Sequence, residues 1–435
     1  MSRMLTRKTC FIFILILFLL AGCQPGAPNT KTNSEGSSNS GSADSKTLTI
    51  WHVETGAGEE SIKNAAKRFE EKHPGVAVKV VRQENDPYKT KLSVAMGGGN
   101  PPDVFHSWGG GWLKNFVDAG QVYDITGEID KDSYLEAAIS PATYEEKVYG
   151  VPIGMDIVPV WYNKEIFEKY GLKEPETYDE LITIVKKLKA NNIIPFALAN
   201  KSKWPGSFYM MYLAERIGGK DLFNEAYERT GRGFDDEAYV QAAAKIQELV
   251  KMGAFPDGVN GLNYDTGQSR QLLYSNKAAM EIQGSWIIGN IRNEMPEFEK
   301  KLGFFLFPAV EGGKGSAKDI VGGVSPVFSV AEKSVNKDLA IELVKELGSK
   351  ETAEEMANKN GGISAVRGVN YEDEYVKKIN EVLESAEYMQ TYYDQTLPTA
   401  VATEHLDTTQ GIFGLSMTPE DAVKKVEKKA EEIIK

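Results

Sequence analysis

The sequence predicts an α/β fold, with a mainly parallel sheet covered by helices, in a body too large for one core. Strand-like and helix-like stretches alternate from Thr47 onward. They follow a βαβαβ order, which parallel strands require because each must be rejoined by a covering crossover. The 435-residue chain leaves ~390 residues beyond Thr47, more than the ~250–300 at which a single core stops growing, so two lobes are expected.

Ahead of that body lies a different kind of sequence. Arg3, Arg7 and Lys8 precede the apolar run Phe11 to Ala21. The run falls short of the ~20 apolar residues needed to span a bilayer and has the length of a signal-peptide core. It ends in Leu20-Ala21-Gly22-Cys23, which resembles a bacterial lipobox. Small residues fit a signal-peptidase cleft, and Cys23 offers its thiol for diacylglyceryl transfer. Residues 1–22 are therefore expected to be a signal peptide and Cys23 the lipidated first residue, held at the outer face of the membrane by two acyl chains. Residues 23–46, dense in Gly, Ser, Asn, Pro and Thr, have nothing to bury and read as a flexible tether.

The body then unfolds in order. Thr47 to Val53 is a β-type run, and Ile62, Ala65, Ala66 and Phe69 recur at helical spacing. His73-Pro74-Gly75 breaks the helix, and Val76, Val78 and Val80 alternate as a second strand. Asp86 to Met96 reads as a helix with Tyr88, Leu92 and Ala95 on one face. Gly97 to Pro102 ends it before a third strand at Asp103-Val104-Phe105. Thr177 with Glu180 forms a capping box. Thr418-Pro419-Glu420-Asp421 opens a C-terminal helix whose apolar stripe is Ala422, Val423, Val426, Ala430, Ile433 and Ile434.

Composition excludes several functions. The two cysteines, Cys10 and Cys23, both lie before the body, so no disulfide, thiolate metal site or cysteine nucleophile is expected there. The net charge is −12, and it becomes more negative once Arg3, Arg7 and Lys8 are removed. Such a body suits neither nucleic acid nor anionic lipid. No phosphate loop, dinucleotide fingerprint, zinc-protease helix or nucleophile elbow is present. Gly312 to Ser316 lacks phosphate-loop spacing and reads as a mobile surface loop. His52, His73, His106 and His405 have no ligand spacing, so neither metal nor cofactor is expected.

The aromatic residues are more informative. Trp108, Trp204 and Trp286 each stand beside Gly or Pro in loop-like sequence, which places them poorly for core packing. A flat indole covers the apolar C–H face of a pyranose, while carboxylates and amides bond its hydroxyls. Strand ends, where Trp108 stands, are also where open α/β sheets bind ligands. Trp51 and Trp161 sit in strand-like runs and read as core. Asp156 is an isolated acid in an apolar run. It needs either ligand hydroxyls or a buried Lys or Arg as partner.

The chain past the tether resembles the extracellular solute-binding proteins of sugar ABC importers. The matching stretches are Leu48 to Trp51, Phe69-Glu70 with His73 to Val76, Pro102 to Val104, Tyr149 to Pro152, Trp161 to Lys164, Ala279-Met280 with Gly284 to Trp286, and Ala340 to Leu347. The resemblance implies a two-lobe periplasmic-binding-protein fold with three interlobe crossovers around a ligand cleft. Residues 47–155 with 309–349 would form the N-terminal lobe, and 156–308 with 350–435 the C-terminal lobe. It implies Glu54 and Thr55 after the first strand, Ser107 and Trp108 after the third, the crossover acid Asp156, the Gly-Ser-Trp aromatic Trp286, and close-approach backbone at Gly322 and Gly323 as ligand positions. Trp204 joins them from its own context. Gly109 to Gly111 replaces the arginine of maltose-type members. The implied function is capture of an oligosaccharide by a monomer that delivers it to the transmembrane subunits of an ABC permease, without catalysis. The alternatives are a sugar-sensing subunit, a glycoside hydrolase using Glu54 and Asp156, and a ferric-ion binder using Tyr392-Tyr393.

Overall fold

The computed structural model of the protein describes residues 46–434. The expected signal peptide, Cys23 and the tether up to Ser45 lie outside the described residues.

The body opens with β1 (Lys46–His52), α1 (Gly56–Lys72), β2 (Val76–Arg82), α2 (Asn85–Gly98) and β3 (Val104–Ser107), followed by α3 (Gly110–Asp118). β1 lies between β2 and β3 and runs parallel to both. The α1 face that packs on this sheet carries Ile62, Ala65, Ala66 and Phe69, positions that a 3.6-residue period brings to one side. In α2 the buried stripe is Tyr88, Leu92 and Met96, so Met96 and not Ala95 completes it.

Beyond β3 the sheet changes direction. Val327–Val330 pairs antiparallel with β3 and with Val151–Pro152. A second sheet orders Leu302–Phe305, Val160–Asn163, Ala278–Ile282 and Ile194–Phe196, of which the last pair alone is parallel. The expectation of a mainly parallel sheet thus holds for the βαβαβ start and fails for the rest. Val327–Val330 follows Ile320–Val324 of a neighbouring sheet after two residues, so it enters straight from that sheet instead of over a covering helix, and in the opposite sense.

A third sheet stands between these two. It orders Ile363–Ser364, Gly154–Ile157, Ile320–Val324 and Met389–Thr391. The chain passes through it three times: from Val151 to Asn163, from Leu302 to Val330, and from Ile363 to Thr391. Only Ile153 separates the first-sheet strand Val151–Pro152 from Gly154–Ile157, so this passage is nearly continuous extended backbone. The helix Lys350–Asn360 lies on the second-lobe side of the boundary expected at 349, yet it packs along α1. Arg68 donates to the Thr352 hydroxyl at 2.6 Å and Asn64 to Glu355 at 2.6 Å.

Helices Trp204–Gly218, Glu237–Lys251, Thr399–Phe413 and Pro419–Ile433 pack on one another beside the second sheet. Thr177 and Glu180 make both bonds of the capping box at the start of Tyr178–Ala190. Thr418 caps the C-terminal helix by accepting from the Asp421 N–H at 3.1 Å. That helix buries Ala422, Val423, Val426 and Ala430, and Ile434 just past its end packs partly buried on the same core, while Ile433 is 45% exposed and falls outside the expected stripe. The segment Gly312 to Ser316 is pinned to the end of Trp204–Gly218. Lys314 and Gly315 donate their N–H groups to the carbonyls of Ile217 and Arg216 at 3.2 and 3.1 Å. A Cβ at Gly313 would lie 2.1 Å from the Arg216 carbonyl oxygen. The glycines therefore let a strand of loop satisfy carbonyls that a helix end leaves open, and the mobile loop expected there is a clasp.

Candidate ligand-binding site

The three passages leave a cavity of about 160 Å³ between the outer sheets. Glu54, Thr55, Trp108, Asp156, Trp204 and Trp286 all line it. These residues come from sequence positions as far apart as 54 and 286, and the fold brings them together.

One wall is aromatic. Trp204 is the first residue of its helix and Trp286 immediately precedes the helix Ile287–Glu294, so both rings project from helix starts toward the cavity. Their centroids lie 6.1 Å apart at 64°. Gly284 makes this possible, because a Cβ there would sit 2.0 Å from the Trp286 ring. Tyr264 fills the corner, 4.8 Å from Trp204 at 75°. Its hydroxyl oxygen accepts from Trp286 Nε1 at 2.9 Å and from Asn290 Nδ2 at 3.3 Å. Thr55 starts α1, but its hydroxyl makes no helix cap. It donates instead to Asn290 Oδ1 at 3.1 Å, tying the turn after β1 to the aromatic wall.

Two acids also line the cavity, Glu54 and Asp156. Asp156 lies on the central strand Gly154–Ile157 and is 6% exposed. The Ser285 hydroxyl donates to Asp156 Oδ1 at 2.6 Å. No Lys or Arg pairs with Asp156 among the described residues, so the buried-cation alternative for this residue fails. Burial pushes its carboxyl up to about 7, against the opposing pull of Ser285 and the Trp286 N–H. Burial first, and the charge of Asp156 second, push Glu54 up to about 8. His106 Nδ1 lies 3.8 Å from Glu54 Oε1, yet burial holds this imidazole well below its usual range, with His52 and Lys89 adding to the effect. It remains neutral, so Glu54 gains no cation from it.

Trp108 reaches the cavity but is 8% exposed. His106 packs against it at 4.7 Å, Trp112 meets it edge-on at 5.2 Å, and the Lys89 ammonium sits over its ring at 4.8 Å. Much of its surface is therefore already covered. Three expected positions do not line the cavity. Ser107 is buried in β3, where its hydroxyl donates to the Val327 carbonyl at 3.3 Å. Gly322 and Gly323 do allow close approach, but to protein. A Cβ at Gly322 would lie 2.7 Å from the Asp156 carbonyl oxygen, and one at Gly323 2.4 Å from the Tyr392 ring.

Tyr392 lines the cavity, whereas Tyr393 turns the other way and stacks on Phe223 at 4.3 Å. The adjacent tyrosines diverge and cannot offer two phenolates to one iron. Sequence reasoning missed Tyr264, Asn290 and Tyr392 as lining residues. For Asn290 the available signal was its place one helical turn after Trp286, which puts both on one helix face.

Residues 54–354 match the family model described as bacterial extracellular solute-binding protein. The multiple sugar-binding protein of Streptococcus mutans is 27% identical over 71% of this chain and 73% of its own length. The galactooligosaccharide-binding protein of Bacillus subtilis is 27% identical over 83% of this chain and 82% of its own. A structure solved in work on xylan utilization by the thermophilic bacterium Caldanaerobius polysaccharolyticus is 31% identical, with a TM-score of 0.83. That match covers 88% of this chain and 99% of the solved one.

Proposed function

We propose that this chain, which belongs to the bacterial extracellular solute-binding protein family, captures a neutral oligosaccharide in its central cavity and hands it to an ABC permease. The observation that carries the proposal is the pairing of an aromatic wall with two buried carboxyls that lack a cation. An indole covers a sugar's C–H face, and carboxyls without a cation accept from its hydroxyls. A neutral ligand fits because two of the three cations that line the cavity, Arg270 and Lys89 but not the exposed Arg82, are already committed. Arg270 donates two bonds to Glu294 at 2.6 and 3.0 Å, and Lys89 lies 3.5 Å from Asp394.

Two lobes joined at the central sheet support capture by closure. In this assignment the first lobe keeps the helix Lys350–Asn360, and the third passage begins at Ile363. A sugar touching both Glu54 and Trp286 would favour the closed state through that double contact. The relatives named for several sugars and for galactooligosaccharides, and the solved structure from xylan work, support the ligand class. Paired acids in a cleft also suit a glycosidase, but membership in a family of binding proteins argues for capture without cleavage.

Calorimetry with xylotriose, galactotriose, stachyose and maltotriose tests the proposal. Saturable binding of at least one of them, with the sugar recovered intact, is expected. Absence of binding across the panel would overturn it. Anchoring through Cys23 is tested separately, since Cys23→Ser should abolish incorporation of labelled fatty acid, and undiminished labelling would refute the anchor.

A further inference from the structure

The hydrogen bonds around Tyr264 have a direction. Thr55 donates to Asn290 Oδ1, Asn290 Nδ2 donates to Tyr264 Oη, and the Trp286 indole N–H donates to the same oxygen. An indole N–H can only donate, and a phenol oxygen offers one proton and two acceptor positions. Both acceptor positions are used. The proton of Tyr264 therefore remains, and no protein acceptor takes it among the described residues. The side chain is 7% exposed and lines the cavity, so bulk water is not a ready substitute.

The ring cannot swing away to find another partner. Trp204 meets it edge-on at 4.8 Å, and the Arg270 guanidinium sits over its face at 4.8 Å. Arg270 is itself held by Glu294 and by the Tyr264 carbonyl, which accepts at 3.4 Å. A second donor stands beside it, because the Trp204 indole N–H is buried without a partner. A buried donor left unpaired is costly, and two on one wall mark a place where the missing acceptors arrive with the ligand.

We infer that Tyr264 is a specificity-determining residue whose hydroxyl donates to one acceptor oxygen of the bound sugar at the Trp204–Trp286 wall. This inference rests on the proposed sugar-binding function and adds a polarity to it. The carboxyl side takes protons from sugar hydroxyls, and the aromatic side gives a proton to a sugar oxygen. Burial raises the phenol above its ordinary range, so the hydroxyl keeps its proton at neutral pH.

A cycle of protein and ligand changes tests it. Wild type and Tyr264→Phe are titrated with the tightest sugar of the four-member panel, and with analogues of it in which one oxygen at a time is replaced by hydrogen or CH2. Tyr264→Phe should weaken binding of the parent sugar about tenfold, and for one analogue the wild type and the variant should bind alike. If the variant loses the same factor against every analogue, the hydroxyl only positions Trp286 and Asn290, and the inference is overturned while sugar binding stands. Parent-like affinity in Tyr264→Phe overturns it as well. Failure of the wild type to bind any panel sugar removes both the function and the inference.

Discussion

Two groups of buried charge in this molecule have opposite settlements with their surroundings. At the end of the helix Trp204–Gly218, Arg216 is fully buried beside Glu215 and Asp319, each 3% exposed. Arg216 pairs with Glu215 and donates to the carbonyls of Phe307 and Asp319 at 2.9 and 2.7 Å. Asp319 in turn accepts from the Ser316 N–H at 2.9 Å. The clasp Gly312 to Ser316 closes over this cluster, which ties the helix to the root of the central strand Ile320–Val324. In the cavity, Asp156 is 6% exposed and the Glu54 side chain 14%, and they have a hydroxyl, a backbone N–H and a neutral imidazole for company. The first group holds its own cation, although Glu215 Oε1 has no hydrogen-bond partner, whereas the second group has no cation among the described residues. A buried polar group left unfinished is costly, so incompleteness inside a cavity is a better pointer to ligand than burial or charge alone.

The comparison is broken or sharpened most strongly by removing Arg216. Arg216→Met leaves Glu215 and Asp319 without their cation, and loss of one partner of a buried ionic cluster costs about 3–5 kcal/mol. Thermal unfolding should show a large drop in Tm, while the folded variant keeps its sugar affinity. A normal Tm would mean that the cluster is not the structural knot described here.

The two tryptophans give the next largest effect. Trp286→Ala removes a half-buried ring from the aromatic wall, and a partly covered indole face is worth ~1.5–3 kcal/mol of binding. Affinity should fall at least tenfold with little change in Tm. Trp108→Ala instead opens a packed cluster of His106, Trp112 and Lys89, so its Tm should fall further than that of Trp286→Ala. Equal melting of the two variants would contradict the distinction.

A smaller effect is the pH dependence of the ligand-free protein. Glu54 and Asp156 titrate near 8 and 7 when folded, against ordinary values of 4.5 and 3.8. The folded protein thus holds protons that the unfolded chain has released, and its stability falls as pH rises through that window. Melting curves should show Tm declining toward pH 8. Glu54→Gln with Asp156→Asn should flatten that decline, leaving the part due to Glu215, which burial and Asp319 push up to about 8. An unchanged slope would place the titration elsewhere.

Much of this was legible in the sequence because it is local. The βαβαβ start, the two helix caps and the stripe of α1 follow from periodicity and capping chemistry. Trp286, Trp204 and Asp156 stood out because each breaks its local pattern. The resemblance implies Ser107 and Trp108 together, yet successive residues leaving a strand face opposite ways, and Ser107 stays in the sheet. Tyr264 was invisible because it sits in irregular chain between Leu262 and Gln268. Its importance arises only where it meets Trp286 and Asn290. The antiparallel returns were hidden for a related reason, since strand direction across three passages depends on pairings between residues more than 100 positions apart, such as Gly323 with Asp156.

The central claim is that the unfinished polar groups of the cavity belong to the ligand. Asp156→Asn tests it most directly, because Ser285 can still donate to the amide oxygen while the accepting charge is lost. Loss of one charge-assisted hydrogen bond, ~1.5–3 kcal/mol, corresponds to roughly tenfold to a hundredfold in affinity. Calorimetry with the tightest panel sugar above pH 8, where the Asp156 carboxyl is ionised, run beside a thermal melt, should show that loss with a parent-like or higher Tm. Unchanged affinity together with a much lower Tm would make Asp156 a structural residue and contradict the account.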